Sequence, residues 1–391
     1  MILYRALQPI LQSTFGAIAF VLKHTPKLRE STEKLWKTWE IRYISGRPAF
    51  YSIDPKIFKN QKPIWIHAAS GEFEYAKSVI REIRKSSDLP ILVTYFSPTF
   101  AENVRKFPGV TASCALPLDS RDELEAFFDH FSPSVLLIAR TDAWPNCVLV
   151  ARRRKTPVLL FSATFTTGSK RVQGIGKTLT RQTLQNIDQI HCVSLEDVDL
   201  LEGELGLKNA IATGDTRYDQ VLCRLSEPRS RELEKAMVRI QESILPRAFV
   251  AGSVWPEDLR PVIHASFKTQ NFAPHTLVLV PHEISKNFTD LMRTECRNLG
   301  FKEEDIRVFS ELESPGGNLP KTPCRVLIVD KIGLLAELYL LGEIAFVGGS
   351  FRKTVHSVME PLAAGDFTIV GPYHTNNREA IEFQSLKIPQ N

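Results

Sequence analysis

Pro63-Ile64-Trp65-Ile66-His67-Ala68-Ala69-Ser70-Gly71-Glu72-Phe73 decides the fold class. A short apolar run ends in small residues and a glycine, directly before a segment of helical period. That is the strand–turn–helix unit of an α/β sheet. The alternation continues outward from it, with strands expected at residues 91–95, 110–116, 135–139, 158–162, 190–194 and 210–213, after the opening strand at 64–68. These runs are compact and apolar enough to be buried on both faces, as in a parallel sheet. A polar stretch of helix formers at 226–243 precedes a second series at 249–252, 276–280, 306–309, 325–329, 344–347 and 368–370. Residues 313–323, rich in Pro and Gly, are expected to form an exposed loop. There is no short repeat and no low-complexity tract. The pattern predicts an α/β protein of two doubly wound, Rossmann-like domains facing each other across a cleft, at 31–225 and 226–391, after an N-terminal segment 1–30.

Length agrees, since 391 residues exceed one comfortable core and 43% apolar residues supply two. A net charge of +5 is well short of a nucleic-acid binder's and suits an anionic membrane or a phosphorylated substrate. The six cysteines, Cys114, Cys147, Cys192, Cys223, Cys296 and Cys324, show no metal-ligand spacing and imply a reduced, cytoplasmic setting. Residues 10–22 are mostly apolar between Arg5 and Lys23, Lys27 and Arg29. They are too short and interrupted to span a bilayer, and they lack a signal-peptide cleavage site. An interfacial anchor is expected there, the other reading being a helix packed on the protein itself.

Three constellations could carry chemistry. Glu72 closes the opening stretch at a strand's carboxyl end, where ligands collect in open α/β sheets. There a carboxylate either stabilises the helix start through the dipole or serves as a general base. Arg140-Thr141-Asp142-Ala143-Trp144-Pro145-Asn146 follows another strand, with Pro145 suited to a first helical turn. Asp142 could cap that helix or orient an acceptor, and Trp144 could pack or stack on a sugar. Phe346-Val347-Gly348-Gly349-Ser350 closes a strand of the second series, and Val355-His356-Ser357-Val358-Met359-Glu360-Pro361 is expected to start a helix. Its N-terminus would offer N–H groups to a phosphate, and Glu360, a turn further in, would face ribose hydroxyls. Gly252-Ser253, Pro281-His282-Glu283 and Gly214 to Asp219 lie at other strand ends, with Arg217 the natural cation for a donor phosphate.

Gly174-Ile175-Gly176-Lys177-Thr178 ends like a Walker A loop, but the first glycine of that motif would fall on Arg171. There is no G-x-S-x-G elbow, His67 and His356 lack triad-like context, and no histidine pair suits a metal on a helix.

Taken together, the residues from Tyr4 to about Glu379 resemble the Kdo transferases, which move 3-deoxy-manno-octulosonic acid from its CMP-activated form onto lipid A precursors in Gram-negative bacteria. The resemblance rests on the apolar start, Trp65 to Glu72, Trp144-Pro145-Asn146, Gly214 to Asp219, Phe346 to Ser350, Glu360-Pro361, Gly371-Pro372 and Asn376. It implies a GT-B fold with an N-terminal acceptor domain, a C-terminal cytidine-nucleotide domain, no metal, and a place on the cytoplasmic face of the inner membrane. Carried over by position, the catalytic base falls on Glu72. The acceptor side takes Ser70, Gly71, Asp142 and Trp144. Donor contacts fall on Arg217, Ser253, Pro281, His282, Gly349, His356, Ser357, Glu360 and Asn376. The chain departs from the family's pattern at Arg140 (commonly Glu), Thr164 (Arg), Glu283 (His after Arg), Ser357 (Asn) and Leu334 (Glu). It also ends soon after Asn377, so the last bracing helix is expected to be shortened or missing. The rival readings are a weakened paralogue that binds nucleotide or lipid without transfer, and a soluble GT-B epimerase, against which the apolar N-terminus speaks.

Overall fold

The computed structural model of the chain describes residues 40–226, 230–313 and 322–385. The expected anchor at 1–30 lies outside them, as does the Pro- and Gly-rich segment at 314–321. Among the described residues no helix is long and apolar enough to cross a membrane. The chain divides into two compact units at Gln220 and Val221, inside the helix Thr216–Ser226.

The first unit opens with a hairpin that the sequence reading missed, β1 (Tyr43–Ile44) and β2 (Arg47–Pro48). Seven parallel strands follow: β3 (Ile64–His67), β4 (Ile91–Tyr95), β5 (Ala112–Ala115), β6 (Val135–Ala139), β7 (Val158–Ala163), β8 (Gln189–Cys192) and β9 (Ala210–Ala212). Their order is β5-β4-β3-β6-β7-β8-β9. The opening strand sits at the sheet's centre, which is why every residue of β3 is buried. Trp65 anchors one face: its ring packs 4.5 Å from Phe127, and its indole N–H donates to Thr94 Oγ1 at 2.9 Å. A buried ring of this size contributes roughly 1.5–3 kcal/mol, and the hydrogen bond removes the penalty for its polar end. On the other face the helix Phe73–Ser86 presents Phe73, Ala76 and Ile80, spaced by three and four residues, to the sheet.

The second unit carries β10 (Ala248–Val254), β11 (Thr276–Pro281), β12 (Ile306–Val308), β13 (Val326–Ile328), β14 (Gly342–Val347) and β15 (Phe367–Val370). They form a parallel sheet in the order β12-β13-β11-β10-β14-β15. All thirteen strands read from the alternation are present. Their burial on both faces does not hold throughout: Ile211 on edge strand β9 and Phe367 on edge strand β15 are exposed, as is Ile344 at the start of β14. An edge strand keeps one flank and part of its faces in solvent, whatever its side chains.

One boundary differs in the second unit. Residues 355–358 are not helical, and the helix is the short Met359–Ala364. Hydrogen bonds from outside hold the preceding loop out of helical form: Asn376 pairs with both Val355 N–H and Val355 C=O, and Asn377 donates to His356 C=O. Glu360 is therefore the second helical residue, and the helix N-terminus expected beside His356 lies at Met359 instead. Beyond Asn377 the chain forms the helix Arg378–Ser385.

Candidate active site

In the first unit the chain reverses its winding between neighbours β3 and β6: β3 leads through β4 to β5, and β6 leads through β7 and β8 to β9 on the other side. Such a switch point opens a crevice at the strands' carboxyl ends. Both constellations of this unit end there. Glu72 is the N-cap of Phe73–Ser86, yet its carboxylate does not cap the helix. Its Oε2 accepts from Ser70 N–H at 3.0 Å and Ser70 Oγ at 2.8 Å, and Oε1 takes no hydrogen bond from a described residue. Glu72 thus makes no side-chain cap, although as the N-cap residue it still sets its charge at the positive end of the helix dipole. Ser70 holds the carboxylate, and Gly71 is exposed between them.

Across the switch point His67, almost fully buried, directs Nε2 at Asp142 Oδ2, 2.9 Å away, while Nδ1 faces Thr94 Oγ1 at 3.0 Å. Asp142 also accepts from the Trp144 indole N–H at 3.2 Å. Burial pushes the Asp142 carboxyl up. The hydrogen bonds from His67 and Trp144, with the charges of His67 and Arg171, outweigh that and leave it below its ordinary value. Capping is again excluded: the helix Pro145–Arg153 is capped by Asp119, which accepts from Asn146 N–H at 3.1 Å and Cys147 N–H at 2.8 Å. Trp144 packs, stacked on Phe96 with centroids 6.0 Å apart, and the Arg42 guanidinium lies 4.0 Å from the Phe96 ring. A cavity of about 310 Å³ opens beside these residues, lined by Asp142, Trp144, Phe165 and Leu179 with Lys170 and Arg171.

Arg217, read as a cation for the donor, belongs to this first unit and sits 5.9 Å from the Tyr75 ring. Arg140 approaches the same ring at 4.8 Å. Neither Tyr75 nor the His67–Asp142 contact was legible in the sequence. Their partners come from strands far apart in the chain, and no local pattern marks the pairing.

The second unit repeats the arrangement. Its winding reverses between β10 and β14, and Ser253, Gly348 and Gly349 meet at that point. Gly348 N–H donates to Gly252 C=O at 2.9 Å, and a Cβ on Gly348 would fall 2.1 Å from Ser253 C=O. Only glycine permits that approach, and Gly349 turns with φ 89°, a left-handed value favoured by glycine. Ser253 adopts φ 53° without that freedom, a strained backbone of the kind that collects at functional sites. The fully buried Asp258 ties the turn down, accepting from Trp255 N–H at 2.8 Å, Gly349 N–H at 2.8 Å and Phe351 N–H at 3.3 Å. The sequence reading missed Asp258, although Trp255-Pro256-Glu257-Asp258 carries a helix-start signature.

His282, which follows Pro281 at the end of β11, stacks 4.2 Å from His356 and 4.5 Å from Trp255. Trp255 donates its indole N–H to His356 Nε2 at 2.9 Å, and Arg352 covers the Trp255 ring at 4.2 Å. Burial lowers the His356 pKa and the neighbouring His282 lowers it further, against a smaller pull from Asp258. His356 is therefore held neutral, with its proton on Nδ1, because Nε2 is the acceptor. Ser357 Oγ accepts from Met359 N–H. Asn376 spends its amide on Val355 and so braces the loop that carries His356. Glu360 lies near Tyr339, whose hydroxyl is pushed up first by burial and then by the Glu360 charge.

Two doubly wound parallel-sheet units in one chain, each with polar groups gathered at its switch point, define a protein of the GT-B class. The fold is shared with the UDP-GlcNAc 2-epimerase from Methanocaldococcus jannaschii, at a TM-score of 0.53 and 15% identity over 81% of this chain and 86% of that one. At that identity the likeness is one of fold alone. Residues 38–220 match the sequence model of the 3-deoxy-D-manno-octulosonic-acid transferase (kdotransferase) family. A 3-deoxy-D-manno-octulosonic acid transferase from Aquifex aeolicus is 27% identical over 325 residues, 82% of this chain and 79% of that protein. A bifunctional glycosyltransferase/methyltransferase from Fusobacterium nucleatum is 24% identical over 81% of this chain, which spans 48% of that protein's length. The chain is thus similar to the Kdo transferases, by the family model over residues 38–220 and by the Aquifex relative over most of its length.

Proposed function

We propose that this chain transfers Kdo from CMP-Kdo to a lipid A precursor by an inverting displacement, with Glu72 as the general base. The observation that carries the reading is the Glu72 carboxylate itself, held through Oε2 by Ser70 at a switch point, with Oε1 left to an acceptor hydroxyl. Glu72 Oε1 takes the acceptor's proton as the sugar's anomeric carbon is attacked and the CMP phosphate leaves. The first unit serves as the acceptor domain. The cavity beside Asp142 and Trp144, apolar with Lys170 and Arg171 at hand, suits a phosphorylated amphiphile. Arg217 faces the negative charge of the donor.

The second unit serves the nucleotide. The strained Ser253 and the Gly348-Gly349 turn let the backbone approach the nucleotide closely, the stacked rings beside His282 offer a face to the base, and Glu360 is the ribose acceptor. Residues 1–30, apolar with basic flanks, hold the protein at the cytoplasmic face of the inner membrane.

The test is mass spectrometry of a lipid A precursor incubated with CMP-Kdo and the full chain. A gain of one or more Kdo units is expected. Glu72→Ala should lower turnover by about 10²–10⁴-fold while CMP binding persists. No mass gain with the wild-type chain, or wild-type turnover by the variant, overturns the assignment.

A further inference from the structure

Arg140 is a cation whose contacts among the described residues are all neutral. It follows β6 with φ 60°, a left-handed conformation that costs a non-glycine residue roughly 1–2 kcal/mol. Its Nη1 donates to the Tyr75 hydroxyl at 2.7 Å and its Nη2 to Thr164 Oγ1 at 3.0 Å. No carboxylate of the described residues pairs with it. Some arginines elsewhere are paired with carboxylates, Arg154 with Glu125 and Asp129 and Arg293 with Glu311 and Glu303, while Arg84 and Arg325, like Arg140, donate to neutral oxygens. A guanidinium offers five N–H donors in a fixed fork, so most of Arg140's capacity is uncommitted.

Its surroundings add positive charge. Arg217 lies over the same Tyr75 ring and hydrogen-bonds its hydroxyl. Asp215 belongs to the Arg217 side, where its Oδ1 accepts from Arg217 N–H at 2.9 Å. Burial, aided by the nearby Asp215 charge, pushes the Tyr75 hydroxyl up against the pull of the two guanidinium groups, so the phenol stays neutral and supplies no counter-ion. Tyr75 stands in the first turn after Glu72, its N–H donating to Glu72 C=O at 3.1 Å. Arg140 is thus tied through the Tyr75 side chain to the first turn of the helix that Glu72 caps.

We propose that Arg140, with Arg217 across the Tyr75 ring, forms an anion subsite for the carboxylate of a Kdo unit. This rests on the Kdo transferase reading above. A planar carboxylate matches the fork of a guanidinium, and a charge-assisted pair of this kind is worth roughly 10- to 100-fold in affinity. Two sources offer the same group: the sugar of the activated donor, and a Kdo residue already attached to the acceptor.

The test is steady-state transfer by the full chain and by Arg140→Gln and Arg140→Lys, with thermal unfolding of each as a folding control. Acceptors with no Kdo and with one Kdo are compared. A 10- to 100-fold rise in KM for CMP-Kdo in Arg140→Gln, largely restored in Arg140→Lys, assigns the subsite to the donor. The same rise confined to the Kdo-bearing acceptor assigns it to the acceptor. Unchanged KM values for both, or a loss in kcat alone, overturn the proposal and leave Arg140 as a brace for Tyr75. Absence of transfer by the wild-type chain refutes the Kdo transferase reading separately. Calorimetry with free Kdo and its carboxyl methyl ester reads the subsite without turnover: wild type should bind the acid at least 10-fold more tightly than the ester. Equal binding overturns the proposal.

Discussion

Asp258 and Glu72 are both acidic residues near helix starts, and the structure uses them oppositely. Asp258 is fully buried and satisfies three backbone N–H groups around the Gly348-Gly349 turn. Removing it leaves buried donors without acceptors, so Asp258→Ala should destabilise the second unit by about 3 kcal/mol or more, measured as a lowered urea midpoint. Glu72 satisfies no helix N–H and is half-exposed, so its replacement should leave that midpoint within about 0.5 kcal/mol. The distinction was not legible in the chain. A carboxylate two or three residues after a turn reads the same whether its partners are backbone, side chain or substrate. What decides is which distant loop folds over it: Gly349 and Phe351 reach Asp258 from ninety residues away, and nothing comparable reaches Glu72.

At the level of elements the strand positions follow from composition, because a parallel strand covered on both faces must be apolar throughout. Edges escape that rule, and β15 shows it. The strand begins beside Asp366, a buried carboxyl at the β14–β15 edge whose two oxygens have no hydrogen-bond partner among the described residues. Burial alone pushes its pKa up to about 7. An acid with a raised folded pKa holds its proton more tightly folded than unfolded. Stability therefore falls as pH rises from about 4 through 7 and levels off above. Asp366→Asn removes this dependence: its melting temperature should exceed the wild type's by a few degrees at pH 8, and the gap should close by pH 5. A melting difference independent of pH would show that Asp366 is paired in solution. Helix boundaries were less legible than strands. Val355 to Val358 carry helix-compatible residues, and bonds from Asn376, Asn377 and Gly348 C=O hold Val355 and His356 out of the helix.

For the whole molecule the cysteines give a direct check on both cores at once. Cys114, Cys147, Cys192, Cys296 and Cys324 are buried, while Cys223 is half-exposed on Thr216–Ser226. Burial pushes the thiols of Cys114, Cys296 and Cys324 up to about 12, which suppresses the reactive thiolate. An aromatic disulfide reagent at pH 8 should label one thiol quickly in the native protein and all six in denaturant. Fast labelling of two or more would mean that a sheet is less tightly closed than described.

The sequence by itself determined the class: two series of buried strands separated by helices, glycines at the ends of central strands, and an ordered string of residues shared with one family. These are local or periodic features, and a chain displays them before it folds. Only the tertiary structure decided how the candidate residues are used. His67 meets Asp142 because β3 and β6 are neighbours, Asp119 takes the capping role that Asp142 was free to fill, and Arg140 ends among hydroxyls with no carboxylate beside it. Each outcome depends on contacts between segments tens of residues apart. Strand order sets such contacts, and strand order has no signature in any single stretch of chain.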